Sequence, residues 1–107
     1  MTNPEKRASA FAILTTYEVP ETTPINPLAA RALELALAYG SRHDGFVSCR
    51  VFEGEDRTSI VVLTEWTSRD AFEAFRSGPD GQQIVAEAVE YHPKIRFLIP
   101  AGQVALD

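Results

Sequence analysis

The stretch from Ser9 to Val19 is apolar on both of its faces, and this is the strongest constraint in the chain. Side chains alternate along an extended segment. Phe11, Ile13, Thr15 and Tyr17 therefore share one side, while Ala12, Leu14 and Thr16 share the other. Such a strand needs cover above and below, so the chain has to supply helices for one face and something else for the second.

Helices follow from local signals. Pro20, Pro24 and Pro27 mark a loop and a helix entry. Asn26 is the expected N-cap and Pro27 the first helical residue, where a missing N–H costs nothing. Leu28 to Tyr39 is rich in Ala and Leu, with Leu28, Ala32, Leu35 and Ala36 as the inner stripe, widened by Leu33 and Leu37. Arg31 and Glu34 mark the wet side, and Gly40 is expected to end the helix in a left-handed turn. Phe46 to Phe52 and Thr58 to Trp66 are two strands joined by the polar turn Glu53 to Arg57. Thr67 or Ser68 opens the next helix, with Asp70 completing a capping box after Thr67. Ala71, Phe72 and Phe75 form its inner face. Ser77-Gly78-Pro79 breaks it, and Asp80 with Gln83 restarts a helix carrying Ile84, Val85, Ala88 and Val89 inward. Lys94 to Ile99 is the last strand. The start, Met1 to Arg7, reads as frayed, and Gln103 to Leu106 as a short edge strand or an arm crossing to a partner.

Strand, helix, strand, strand, split helix, strand is the order of a ferredoxin-like βαββαβ unit. This is an α+β fold with a four-stranded antiparallel sheet and helices on one face. No helix is left for the other face. A second copy is the simplest cover, through a sheet-to-sheet interface of standard size or larger. The expected unit is one domain over residues 1–107 with a core at about 9–99. At 107 residues its core is modest and gains from such a partner.

The formal net charge of −5 argues against a phosphate-backbone partner, so no nucleic acid is expected. Cys49 is the only cysteine, which excludes an internal disulfide and fits a reducing compartment. Met1 to Arg7 lacks a signal-peptide pattern, and no apolar stretch approaches the ~20 residues of a membrane span. A cytoplasmic protein is expected. The motifs of serine hydrolases, P-loop enzymes, dinucleotide-binding proteins and zinc proteases are absent from the sequence. His43 and His92 without spaced carboxylates predict no metal site.

The run Ile60 to Phe75 is a hydrophobic strand ending in Trp66, followed by x-Ser-x-x-Ala-Phe opening a helix. With His43-Asp44-Gly45-Phe46 leading into the second strand, it resembles the antibiotic biosynthesis monooxygenase family over roughly Phe11 to Leu98. The resemblance implies a dimeric α+β barrel and a homodimer. It also implies a small oxygenase that oxidises a hydrophobic, aromatic polyketide-type molecule with O₂, through the substrate's own carbanion, in a dry pocket between sheet and helices. No metal or organic cofactor is implied, with a reduced flavin brought by a partner as the alternative. Cyclisation of a poly-β-ketone, as in related barrels, and non-catalytic ligand binding are the other readings. The family Trp falls on Trp66. Where the oxygenases often carry Asn, this chain has Val62. Where the haem-degrading branch carries a helical His, it has Val85, so haem ligation is not expected.

The candidate residues follow. Trp66 ends its strand beside the expected pocket and is assigned a catalytic role, against capping of the core with its N–H on a backbone carbonyl. His43 is the candidate general base, against an exposed loop histidine. Tyr17, Val62, Thr64, Phe72, Phe75 and Val85 are candidates for binding substrate, against plain strand, rim or core roles. Arg50 is a candidate for holding an enolate or carboxylate, against an ion pair with Glu65 or Glu18. Cys49 reads as a small buried hydrophobe.

Overall fold

A computed structural model of the protein describes residues 8–105. Met1 to Arg7 and Leu106, for which a frayed start and part of an edge strand were expected, lie outside the described residues.

Four strands, β1 (Phe11–Glu18), β2 (Phe46–Glu53), β3 (Ser59–Trp66) and β4 (Lys94–Leu98), form one sheet in the order β2-β3-β1-β4. All neighbours are antiparallel. Helix α1 (Ile25–Ala38) joins β1 to β2, and the pair α2 (Arg69–Ser77) and α3 (Pro79–Ala88) joins β3 to β4. The expected ferredoxin-like α+β architecture is thus present. Residues 103–105 are exposed and form no strand.

Phe11, Ile13 and Trp66 pack with Phe72 and Phe75 of α2, with Ile84 of α3 against them. Ile60 packs with Ile25 and Ala29 of α1. All three helices therefore cover one face of the sheet. The opposite face carries Leu14, Leu63, Leu98 and Phe52, with 43% of Phe52 exposed.

Several local expectations are corrected. Helix α1 starts at Ile25, one turn before Leu28, with Pro24 at the cap and no side-chain capping bond. The reason is burial: Ile25 is an anchor in the α1 cluster, and including it brings Ala29 and Leu35 onto the sheet. Asn26 then lies within the helix, where its amide nitrogen donates to the Glu53 carboxylate at 2.8 and 3.0 Å. In this register Leu33 and Leu37 turn outward, and Leu37 is 74% exposed. Gly40 has no positive φ. It is needed for space, since a Cβ there would lie 3.1 Å from the Phe46 ring. Ser68 is the cap of α2, accepting from the Ala71 N–H at 3.0 Å, so the Thr67 box is not used. Helix α3 starts at Pro79 behind Gly78 without a side-chain cap, because proline is already suited to a first helical turn. Val89 lies beyond it and is 61% exposed.

One irregularity in β2 decides which residues meet the helices. Phe46 pairs with Trp66, but Ser48 pairs with the next residue back, Glu65, so Val47 is an extra residue in the ladder. Phe46 and Cys49 consequently face the helices together. Ser48, Arg50 and Phe52 face the other way.

Candidate active site

Between the helix-covered face of the sheet and the three helices lies a cavity of about 430 Å³. Its floor comes from alternate residues of all four strands: Ile13, Thr15 and Tyr17 of β1, Val62 and Thr64 of β3, Cys49 of β2 and Ile95 of β4. Aromatic rings close one end. Trp66 is 1% exposed and lies edge-on to Phe46 at 5.4 Å and to Phe72 at 5.7 Å, and tilted to Phe75 at 5.1 Å. These are the separations that aromatic pairs favour. Leu28, Ala32 and Leu35 of α1 face Ile84, Val85 and Ala88 of α3 across the space. Val85 is 44% exposed, so the cavity opens to solvent on the α3 side.

The open side is braced by charge. Arg31 on α1 forks onto Glu87 on α3, with both nitrogen-to-oxygen distances 2.8 Å, and also reaches Glu34 at 2.9 Å. Both Arg31 and Glu87 line the cavity. The hydrogen bonds from Arg31 hold the Glu87 carboxyl below its usual range. The bonds from Glu87, and then Glu34, raise the Arg31 guanidinium further. This two-toothed geometry is specific to arginine.

Two ionisable groups on the cavity floor are held neutral. Burial raises the Tyr17 phenol, and Cys49 adds to that rise. Burial likewise raises the Cys49 thiol. Tyr17 therefore offers an O–H donor near neutral pH, and Cys49 is not a thiolate nucleophile. The Trp66 indole N–H donates to the Thr64 hydroxyl oxygen at 3.1 Å, where the sequence suggested a backbone carbonyl.

Of the residues singled out in the sequence, Trp66, Tyr17, Val62, Thr64, Phe72, Phe75 and Val85 all line this one cavity. His43 and Arg50 do not. His43 stands behind Phe75, edge-on to that ring at 4.8 Å, with Nε2 3.3 Å from Asp80 Oδ2. It joins the turn before β2 to the start of α3. Arg50 is on the far face because of the extra residue at Val47, with its guanidinium over the Phe52 ring at 5.0 Å. Neither suggested glutamate pairs with it: Glu65 accepts from the Ser48 hydroxyl at 2.8 Å. Among the described residues, no group of three or more His, Cys, Asp or Glu is placed to hold a metal ion. None of their helices is long and apolar enough to cross a membrane.

Sequence reasoning missed Glu87 and the use of Arg31 as its partner. The two are 56 residues apart, and no spacing rule joins them. Phe46 was read only as the start of a strand, since the bulge that turns it inward has no sequence mark.

Several solved structures share this fold. A monooxygenase from the gene ActVA-Orf6 of Streptomyces coelicolor, in complex with nanaomycin D, superposes with a TM-score of 0.80 at 19% identity, covering 98% of this chain and 96% of that one. A variant of SnoaB from Streptomyces nogalater, described as a cofactor-independent oxygenase, gives 0.78 at 17% identity over 91% and 98%. Rv0793 from Mycobacterium tuberculosis gives 0.66 at 22% identity over 91% and 100%. No curated protein matches the sequence. The sequence model of one family, described as antibiotic biosynthesis monooxygenase, matches residues 27–87. That match spans more than half of the chain and takes in the α1 helix, the β2–β3 hairpin and the helices that roof the cavity, and on it the chain belongs to the antibiotic biosynthesis monooxygenase family.

Proposed function

We propose that the protein is a small oxygenase that oxidises a hydrophobic, aromatic polyketide-type substrate with O₂ inside the cavity. One observation carries the proposal: a ring-walled apolar space whose sheet floor bears only neutral polar groups, with paired charge at its open side. Tyr17 and Cys49 keep their protons, Glu87 is held by Arg31, and neither histidine lines the cavity. Such a site favours a substrate that loses its own proton easily and needs its anion stabilised rather than generated by a strong base. An anthrone fits. Its methylene carbon loses two hydrogens and gains one oxygen atom as a carbonyl, and the second atom of O₂ leaves as water. No added cofactor is required by that balance, in keeping with the cofactor-independent S. nogalater oxygenase of the same fold. Trp66 is proposed to act at the catalytic centre by positioning its neighbours, with Tyr17, Val62, Thr64, Phe72, Phe75 and Val85 lining the substrate's place.

Oxygen uptake with 1,8-dihydroxyanthrone tests this directly. The expected result is one O₂ consumed per quinone formed, at least tenfold faster than without protein. Rates equal to the protein-free control, across several anthrones that bind, would sink the proposal. They would leave a non-catalytic ligand-binding domain, the reading that Val62 favours because it supplies no polar group to O₂ or an enolate.

The single domain, with its core at about 9–99, is proposed to work as a homodimer, and its one thiol suits the cytoplasm. Leu14, Leu63, Leu98 and Phe52 on the sheet's uncovered face support this, since an apolar patch of that kind is stabilised by burial. Sedimentation at micromolar concentration should show a dimer, and Leu63→Asp should shift it to monomer. A monomeric native protein refutes the dimer.

A further inference from the structure

Resting on the oxygenase reading, we infer that Thr64, not Trp66, is the group that touches the reacting substrate, donating its hydroxyl hydrogen to a substrate oxygen while Trp66 sets its direction.

The argument starts from what each side chain is able to do. The indole nitrogen is a donor and never an acceptor. Its hydrogen is already given to Thr64 Oγ1 at 3.1 Å, and the ring itself is 1% exposed. Trp66 therefore has no hydrogen left for a ligand. A hydroxyl has one hydrogen and two lone pairs. With one lone pair taken by the indole N–H, the Thr64 hydrogen has to point elsewhere, because Trp66 has nothing to receive it. This polarity follows from the chemistry of the pair and does not depend on locating a hydrogen atom.

The remaining direction is the cavity. Thr64 lines it at the centre of the sheet, opposite Ile13 on one side and Cys49 on the other. None of the hydrogen bonds found among the described side chains uses the Thr64 hydroxyl as donor. A hydroxyl that accepts a hydrogen bond also becomes a stronger donor, by something like 10–30% per bond. The pair is thus a two-step relay, indole to hydroxyl to ligand, built on neighbouring inward positions of one strand. At this point the cavity offers a hydrogen to an acceptor such as a ketone or enolate oxygen, and it stabilises the oxygen more as negative charge develops. Thr64 lies two residues from Val62 on the same face, so an acceptor oxygen is held without any polar group at 62.

The test uses a bound dye. 2-Hydroxyanthraquinone changes colour when its phenol ionises, and binding is followed by the shift in its own absorbance, which serves every variant including Trp66→Phe. The apparent ionisation constant of the bound dye is read by absorbance across pH. Thr64→Val should weaken the bound dye's acidity about tenfold, as expected for a lost hydrogen bond to a charged oxygen. Thr64→Ser should restore it, and Trp66→Phe should give part of the loss. With 1,8-dihydroxyanthrone, Thr64→Val should lower kcat about tenfold and leave KM within threefold. If Thr64→Val does not fold, Thr64→Ala takes its place. A purely structural threonine would leave the dye's ionisation unmoved. An unchanged ionisation in Thr64→Val beside a shifted one in Tyr17→Phe overturns the inference and names Tyr17 as the donor. In that case anthrone oxidation by the native protein still stands, whereas absence of both dye binding and oxidation brings down the oxygenase reading as well.

Discussion

Trp66→Ala is expected to lose about 3–5 kcal/mol of folding stability, the range found when a large aromatic is removed from a packed core. Trp66 is the most buried large side chain, and three rings, Phe46, Phe72 and Phe75, rest against it. The cavity already present beside it gives these rings little support from the other side, so they have no neighbour to collapse onto. For a domain of this size, total stability is about 5–15 kcal/mol. The loss therefore lowers the melting temperature by well over ~10 °C and leaves the variant close to unfolding. Urea unfolding followed by far-ultraviolet circular dichroism measures it. Trp66→Phe keeps most ring contacts and gives up one hydrogen bond to a half-buried hydroxyl, so it should cost nearer ~1 kcal/mol. Equal losses for the two variants would mean that the N–H, not the packing, holds the region together. A loss under ~1 kcal/mol for the alanine variant would contradict the core role altogether.

Gly81→Ala separates helix propensity from packing, because the two forecast opposite signs. Alanine is favoured over glycine inside a helix by about 1 kcal/mol. Gly81 lies in the first turn of α3, yet a Cβ there would fall 2.3 Å from the Phe75 carbonyl oxygen and 2.6 Å from the Arg76 Cα. Both are backbone atoms of α2, so no side chain is able to swing away. The two helices would have to separate, at a net cost of about 1–3 kcal/mol. Phe75 is in the wall of the cavity, so ligand binding should weaken as well. Gly78→Ala is the control. Its Cβ would meet only carbonyl oxygens at 3.4 and 3.6 Å, and a change within ~0.5 kcal/mol is expected. Thermal unfolding of the two variants side by side decides the matter. A Gly81→Ala protein as stable as the native one would show that α2 and α3 are not locked at this crossing.

Much of the site was legible from residue order. Trp66, Thr64 and Val62 alternate on one strand, and Phe72 and Phe75 sit three apart on the following helix, so a strand–helix unit with rings between its layers is expected from residue order alone. The same periodicity put Tyr17 on one face of β1 with Phe11, Ile13 and Thr15, and only the docking of the helices made that face the inward one. Arg50 was not legible. Simple alternation from Phe46 gives Arg50 the same face as Phe46, and only the extra residue at Val47 turns it away. A bulge of this kind arises from how a whole strand fits its neighbour, not from a local preference. His43 was read as a candidate base because neutral imidazole suits proton abstraction near pH 7, against an exposed loop histidine beside Gly45. Its position behind Phe75 depends on where α3 docks.

The amino-acid order by itself determined the succession of elements, the two-faced alternation of β1, the inward faces of β3 and α2, and the membership of a family. These rest on periodicity and short-range steric rules that act within a few residues of chain. Tertiary structure alone decided that α1 begins at Ile25, that Gly40 makes room for a ring, that Arg31 grips Glu87, and that the indole N–H ends on a threonine hydroxyl. Each of these is a contact between parts of the chain that meet only after folding, or a choice among local alternatives that burial settles. Local preferences differ by ~1 kcal/mol or less, and filling or sparing a core site is worth more.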